Sequence, residues 1–261
     1  MAVTETEDFK PIPVAAPAGR PIAFALRCLV DLQLATIVQP LRPALAQLHG
    51  KVLDVGAGQS PWRDWLPPAA SYQGIDVGHA GEFGMQANRD DLLYYDGRTM
   101  PLADGSFDAA LCIEVMEHAE SPEALLAEIA RVLRPQGRLL LTVPWSARRH
   151  HVPHDYHRFT SERLHQLLAT AGFLDIDIRE RGNDIGAIAN KLVVLALRLA
   201  RPRQLLQAVW TWPLLALVGP VTVLFVIGFH CSAALGLGSR EDPLGYFASA
   251  RRAGTAPQRS T

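Results

Sequence analysis

Cysteine is scarce. Cys28, Cys112 and Cys231 are the only three in the chain, and they lie far apart. That excludes a disulfide framework and leaves buried thiols in a reducing compartment as the expectation. Dense basic blocks are missing as well. Lys and Arg total 25 against 26 Asp and Glu, for a formal charge of −1. Phosphate-driven binding needs clustered cations, so nucleic acid is not an expected partner. The opening "MAVTETEDFKPIPVAAPAGRP" has no basic start followed by an apolar run. It therefore reads as a disordered leader on a cytoplasmic protein, not as a secretory signal. No internal repeat is visible at solenoid periods.

What is present suits a globular α/β chain. At 261 residues, 49% hydrophobic and 20% charged, the composition supports a sizeable core in one large domain or two small ones. From Ile22 to Leu48 the apolar spacing is helical, interrupted by Pro40 and Pro43. The rhythm then changes to short apolar runs at Lys51–Val55, Tyr72–Val77, Leu92–Asp96, Phe107–Ile113 and Arg138–Pro144, each reading as a buried strand. Phe173–Glu180 alternates and reads as a sixth strand with one wet face. Between them, Ser121 and Pro122 start a helix carried by Leu125, Leu126, Ile129, Val132 and Leu133, and Ser161–Ala171 forms another, ended by Gly172. Strands alternating with helices predict a doubly wound, Rossmann-like sheet with its ligand beyond the carboxyl ends of the strands.

The chemistry starts at "VLDVGAGQSP". A strand ends at Asp54, and Gly56 and Gly58 let the backbone turn tightly. Asp76 follows at the end of the next strand, at the spacing of a carboxylate that holds a ribose diol. A dinucleotide fingerprint would need a third glycine where Pro61 stands, and a phosphate loop would need Gly-Lys-Ser/Thr, which is absent. Asp54, Asp76 and Asp96 all stand at strand ends. Such acids suit a ligand with a sulfonium, an amino group and a ribose diol: S-adenosylmethionine. Ordinary turn aspartates are the alternative, with more force at Asp96 than at the other two.

A second concentration is "RRHHVPHDYHRFT", Arg148 to Thr160, with four His, three Arg, one Asp and one Tyr. It follows the fifth strand on the ligand side. A zinc site at His150, His154 and His157 has plausible spacing. No cysteine joins them, though, and Pro153 breaks a helix that would aim them together, so no metal is expected. A substrate lid supplying a general base and anion-binding groups is the preferred reading. A structural role with Asp155 and Arg158 paired and Tyr156 buried is the alternative. His118, in "EVMEH", stands at the mouth of the fourth strand as a base, a substrate contact or a loop histidine.

The motifs "VLDVGAG", "YQGIDV", "DGRTMPLADGSFDAALCIEVMEH", "LLAEIARVLRPQGRLLLTVP" and "HDYHRFT" resemble, in order, those of class I S-adenosylmethionine-dependent methyltransferases of the type 11 small-molecule branch. The resemblance covers about Lys51 to Arg181. It implies a seven-stranded mixed sheet whose last strand is antiparallel. It implies that Asp54, Gly56 and Gly58 line the methionine part of the cofactor, that Asp76 holds the ribose hydroxyls, and that Asp96 and Gly97 flank the adenine. It further implies a cofactor wall made by Cys112, Ile113 and Glu114. In the lid the family's His, Pro, Asp-Tyr, Arg, aromatic and Thr positions are matched at His151, Pro153, Asp155, Tyr156, Arg158, Phe159 and Thr160. His154, Asp155, His118 and His151 are the candidate catalytic residues, and Tyr156 and Arg158 the candidate substrate contacts. The sequence departs from the family at Gln59-Ser60-Pro61, where Ser60 is expected to cap and Pro61 to open the next helix.

Past Arg181 the resemblance fades. "LGYFASARR", Leu244 to Arg252, is expected to be the last strand. The chain then divides into a leader (1–20), an N-terminal helical segment (21–48), a methyltransferase core (49–184), an apolar helical insertion (185–243) and a last strand with tail (244–261). Leu205 to Gly238 carries no Asp, Glu, Lys or Arg. A single crossing would put the sixth and seventh strands on opposite sides of a bilayer, and two crossings need roughly 40 apolar residues plus a turn. The expectation is a hairpin or set of short helices, broken by Pro213 and Pro220, lying in or on one leaflet of the inner membrane face. Arg198, Arg201 and Arg203 would meet headgroups, with Trp210 and Trp212 at the interface. A cap over the substrate pocket or a dimer interface is the alternative. The expected activity is methyl transfer to oxygen of a small-molecule or lipid-linked acceptor. Its rivals are a catalytically silent cofactor-binding scaffold of a membrane complex and a nucleotide-dependent oxidoreductase.

Overall fold

The computed structural model describes residues 12, 14, 16–78, 89–202 and 204–254; Arg203 lies outside the described residues. Two helices come first, α1 (Pro21–Val30) and α2 (Leu32–Leu45). The break between them is at Asp31, where the axes bend by 119°. The Asp31 carboxylate accepts the Leu34 N–H at 3.1 Å and so caps α2. This corrects the expected interruption at Pro40 and Pro43, which both lie inside α2. A proline removes one donor, whereas the buried face of Leu32, Leu34, Ile37, Leu41 and Leu45 holds α2 from outside.

Seven strands follow: β1 (Lys51–Val55), β2 (Ser71–Val77), β3 (Leu92–Tyr95), β4 (Phe107–Ile113), β5 (Leu133–Pro144), β6 (Phe173–Arg181) and β7 (Gly245–Arg252). Their order in the sheet is β3-β2-β1-β4-β5-β7-β6. β1 to β5 pair in parallel, and β7 runs antiparallel between β5 and β6. Helix α3 (Pro122–Val132) is capped by Ser121, whose Oγ accepts the Ala124 N–H at 3.3 Å, and α4 (Ser161–Thr170) by Thr160. Successive strand residues point to opposite faces. Ala110, Cys112, Leu139 and Leu141 pack with α3 and α4, while Ala109, Leu111 and Leu140 pack with α2.

The expected helix after the glycine turn does not form. Ser60 takes a left-handed φ of 53° instead of the extended geometry of a cap, and the chain makes only a short 3₁₀ turn at Arg63–Trp65. Trp62 and Trp65 then fold back on the N-terminal helices. Phe24 meets Trp65 edge-on at 5.7 Å, and the Arg42 guanidinium lies 5.4 Å over the same ring.

Between β6 and β7 lie α5 (Asp184–Leu199) and α6 (Leu205–Leu235). They form an antiparallel hairpin. Asn183 caps α5 at Gly186 and donates from Nδ2 to Ser232 Oγ (2.9 Å) and to the Leu237 carbonyl (2.8 Å). A Cβ on Gly186 would sit 2.6 Å from the Phe229 ring, so only glycine allows this closeness. α6 is continuous over 31 residues with Pro213 and Pro220 inside it, which corrects the expectation of short helices broken at those prolines. Its most apolar window has mean hydropathy 2.2 and is 11% buried; by length and composition it is the one single helix among the described residues able to cross a membrane. Leu205, Leu206, Val209, Trp210, Trp212, Leu217 and Leu224 stand exposed along it.

Candidate active site

The strand order reverses between β1 and β4, and in such sheets the ligand crevice opens at the carboxyl ends flanking that point. β1 ends in the glycine turn. Gly56 has φ 67° and Gly58 φ 51°, and a Cβ on Gly56 would lie 2.4 Å from the Val115 side chain. The turn is tied to β2 twice: Gly56 N–H donates to Ile75 O (2.9 Å), and Gly58 N–H to Asp76 Oδ2 (2.9 Å). Asp76 also accepts from Val77 N–H at 2.8 Å. Burial raises its carboxyl above the ordinary range, and these two donors oppose the shift. Asp54 is buried at the end of β1, where Tyr72 donates its hydroxyl to Oδ2 at 2.7 Å. Burial pushes Asp54 up to about 7 against the pull of that hydrogen bond.

The other wall is the end of β4. Cys112 is fully buried among the α3-side core, its thiol pushed up by burial, and Ile113 is nearly so on the opposite face. Glu114 turns the chain with φ 55° and takes a hydrogen bond at 2.8 Å from Arg181 Nη2. Arg181 itself is buried. It also donates to Val143 O (3.0 Å) and Tyr246 O (3.2 Å). On the far side Asp96 is exposed and accepts from the Arg98 and Thr99 N–H groups as a turn aspartate does, with Gly97 at φ 78° beside it.

The loop after β5 folds onto the short turn Met116–His118. Tyr156 and His157 N–H both donate to Glu117 O, at 2.9 and 3.2 Å. Asp155 takes both Arg158 terminal nitrogens, at 2.6 and 2.9 Å, and the His150 N–H at 3.0 Å. Burial alone would raise Asp155, but the bonds from His150 and Arg158 outweigh it and hold the group well below the usual range. The side chain of Asp155 is therefore committed to the loop. Tyr156 is exposed, not buried, and its hydroxyl lies 3.1 Å from His154 Nδ1.

The histidines divide into two groups. His118, His150 and His151 converge, their nearest ligand atoms all within 4.8 Å of one another. His154 and His157 stand apart, the latter with Nε2 3.0 Å from Ala119 O. Burial drives His118 down to about 3, so its ring is neutral. Beneath the cluster lies Glu117, fully buried and raised well above the usual range, first by burial and then by Glu114. Sequence reading passed over Glu117, His150 as a partner of His118, Arg181 and Tyr72. "EVMEH" contained the signal for Glu117, because a carboxylate beside a histidine at a strand end is more than punctuation.

The strand order with its reversed seventh strand, and the glycine turn facing an acid at the end of β2, define a class I methyltransferase fold. Residues 53–141 match the type 11 methyltransferase family, described as "Methyltransferase domain". A second family, described as "Anamorsin, N-terminal", matches residues 98–191. Among curated relatives, the phthiotriol/phenolphthiotriol dimycocerosates methyltransferase 1 of Mycobacterium ulcerans is 32% identical over 130 residues, covering 43% of this chain and 48% of that protein. The ubiquinone biosynthesis O-methyltransferase of Paracidovorax citrulli is 32% identical over 114 residues, covering 38% and 48%. The first relatives are matched over about a quarter to a half of their length. In solved structures, a SAM-dependent methyltransferase of Archaeoglobus fulgidus superposes with TM-score 0.51 at 12% identity, covering 88% of this chain and all of that one. The [4+2]-cyclase SpnF does so with TM-score 0.50 at 21% identity, covering 85% and 83%. The fold is thus shared with a protein named for a different reaction. The cofactor of the family is S-adenosylmethionine.

Proposed function

We propose that this chain is a methyltransferase that moves a methyl group from S-adenosylmethionine to an oxygen of a lipid-linked or small-molecule acceptor. The observation that carries the reading is the coincidence of the methyltransferase domain, residues 53–141, with a glycine turn clamped to a buried acid. The residues present fit the cofactor. Gly56 has no room for a Cβ, so the backbone is bare where a ligand must approach. Asp54 and Asp76 bring acceptors to a ligand rich in donors and positive charge. Asp76 is assigned to the ribose diol, Asp54, Gly56 and Gly58 to the methionine end, Asp96 and Gly97 to the adenine side, and the Cys112–Glu114 segment to the wall.

When bound, the cofactor supplies a methyl carbon already activated on sulfonium. Held by Asp54, Gly56, Gly58 and Asp76, it would offer that carbon to the acceptor oxygen, with sulfur as the leaving group that keeps the bonding pair. The protein has to align the two reactants and take the acceptor's proton. We assign the proton to His154, on the lid and beside the Tyr156 hydroxyl. His118 and His151 line the wall, and Arg158 holds the lid through Asp155.

The lipid side of the proposal rests on α6. Its exposed Leu, Val and Trp side chains form an apolar surface that water does not favour. At about 1.5–3 kcal/mol per large side chain transferred, a few suffice for reversible attachment. α5 has 16 residues, including Asp184, Lys191 and Arg198, and is too short to return across a bilayer, which takes roughly 20 apolar residues. Attachment from one side follows. Relatives named for dimycocerosate, sterol and ubiquinone pathways agree with an apolar acceptor.

The test is incubation of the full-length protein with methyl-labelled S-adenosylmethionine and a lipid extract, followed by mass spectrometry. A lipid that gains one methyl group and the label is the expected product. Cofactor binding without turnover on lipid or soluble extracts would instead make the chain a silent scaffold.

A further inference from the structure

Sequence reading expected no metal and, if any, one at His150, His154 and His157. The structure gathers a different set. The ligand atoms of His118, His150 and His151 lie within 4.8 Å of one another. Adjoining them is the Glu117 carboxylate, fully buried, with neither oxygen accepting a hydrogen bond. Glu117 Oε1 is 3.6 Å from His118 Nε2 and 3.9 Å from His150 Nε2.

The orientation of the rings is informative. His118 Nδ1 lies 2.7 Å from the His154 carbonyl, and His150 Nδ1 3.1 Å from the Arg148 carbonyl. A carbonyl only accepts, so each Nδ1 carries a hydrogen and Nε2 is the ring atom turned toward the cluster. Both Nε2 atoms therefore lie on the Glu117 side of their rings. Three imidazoles thus gather beside a buried carboxyl group that has no hydrogen-bond partner of its own. The carbonyls of His154 and Arg148 are the outer acceptors of the kind that orient metal-bound imidazoles elsewhere.

We propose that His118, His150, His151 and Glu117 bind one divalent transition-metal ion with the preferences of zinc. Three imidazoles and one carboxylate suit zinc or cobalt, whereas magnesium and calcium prefer all-oxygen shells. Around zinc, with bonds near 2.0–2.1 Å, ligand atoms stand about 3.3 Å apart, against separations of up to 4.8 Å among the three imidazoles and of 3.6 and 3.9 Å from Glu117 Oε1 to His118 and His150. Four protein ligands fill a tetrahedron and leave no open position for an acceptor. The ion's role is therefore to fasten the loop after β5 to the turn after β4. His154 and His157 are directed elsewhere and take no part.

Metal binding is tested with the metal alone. Full-length protein is stripped with chelator and titrated with Co²⁺ under visible absorption, then challenged with Zn²⁺. One equivalent should give the intense bands of four-coordinate cobalt, and zinc should abolish them. H118A, H150A and E117Q should each weaken cobalt binding by at least about tenfold to a hundredfold, while H157A should bind as the wild type does. Circular dichroism on every variant reports folding, and S-adenosylmethionine calorimetry on the wild type reads the cofactor site separately. If the stripped protein gives no cobalt bands, or if H118A and H150A bind cobalt as the wild type does, the proposal falls and Glu117 is a buried protonated acid. If cobalt binds and S-adenosylmethionine does not, the metal site stands and the methyltransferase reading fails.

Discussion

Replacing Arg181 by methionine is the sharpest test of how the fold holds its site. The guanidinium is buried and donates to Glu114, to Val143 O and to Tyr246 O. It thus ties the end of β6 to β5, β7 and the turn after β4. Methionine fills similar volume but leaves the interior carbonyls without this donor and Glu114 without its cation. Breaking a buried pair from one side costs about 3–5 kcal/mol. The Glu114 side chain keeps 23% of its surface and can rehydrate, so the lower half of that range is expected. At roughly 2–4 °C per kcal/mol for a chain of this size, the melting temperature should fall by about 6–16 °C. Lysine keeps the charge without the fork and should fall between. Urea denaturation followed by circular dichroism gives the free energies. A cycle with Glu114→Gln should return a coupling above about 1 kcal/mol. If R181M loses less than about 1 kcal/mol, or if the cycle is additive, Arg181 does not organise the β4 wall.

Other expectations follow from the same geometry. Asp76→Ala removes the acid assigned to the ribose diol and should weaken S-adenosylmethionine by at least about tenfold, from the 1.5–3 kcal/mol of a charge-assisted hydrogen bond; calorimetry on the folded variant reads it. Gly56→Val drives a side chain into Val115 and should abolish cofactor binding, which a folded variant with full affinity would contradict. Asp54 has a folded-state value raised to about 7 from 3.8, so its contribution to stability is complete below pH 3.8 and is lost as pH rises through 7. Asp54→Asn should flatten that slope in denaturation curves taken from pH 4 to 8. Leu206→Glu with Leu217→Glu, both on the exposed side of α6, should release the protein from sedimenting lipid vesicles and leave cofactor affinity unchanged; vesicle binding equal to wild type would show that α6 serves another purpose.

Most strands were legible as short apolar runs closed by turns and β6 by its alternation, but β5 begins at Leu133, which helical spacing assigns to the preceding helix, and not at Arg138. Phe107–Ile113 was read to its ends, and the reversed β7 followed from the family resemblance. Proline misled in the same way twice. Pro40 and Pro43 sit inside α2, and Pro213 and Pro220 inside α6, because burial in one case and a long apolar run in the other outweighed one missing donor. The glycine turn was visible because its chemistry is local. The cluster of His118, Glu117, His150 and His151 was hidden because it exists only once two loops, after β4 and after β5, are brought together. Arg181 was hidden for a different reason: nothing in a sequence marks the rare arginine that goes inside.

The position of β7 has a consequence for the order of assembly. Its partners β5 and β6 both precede it in the chain and must stay apart until it arrives to pair with each, Leu141 with Ala248 and Ile178 with Ala248. The α5–α6 hairpin leaves the ribosome before β7 does. The apolar surface of α6 therefore meets its surroundings while the sheet still has a gap, and a nascent chain already resting on a membrane would close its catalytic domain there.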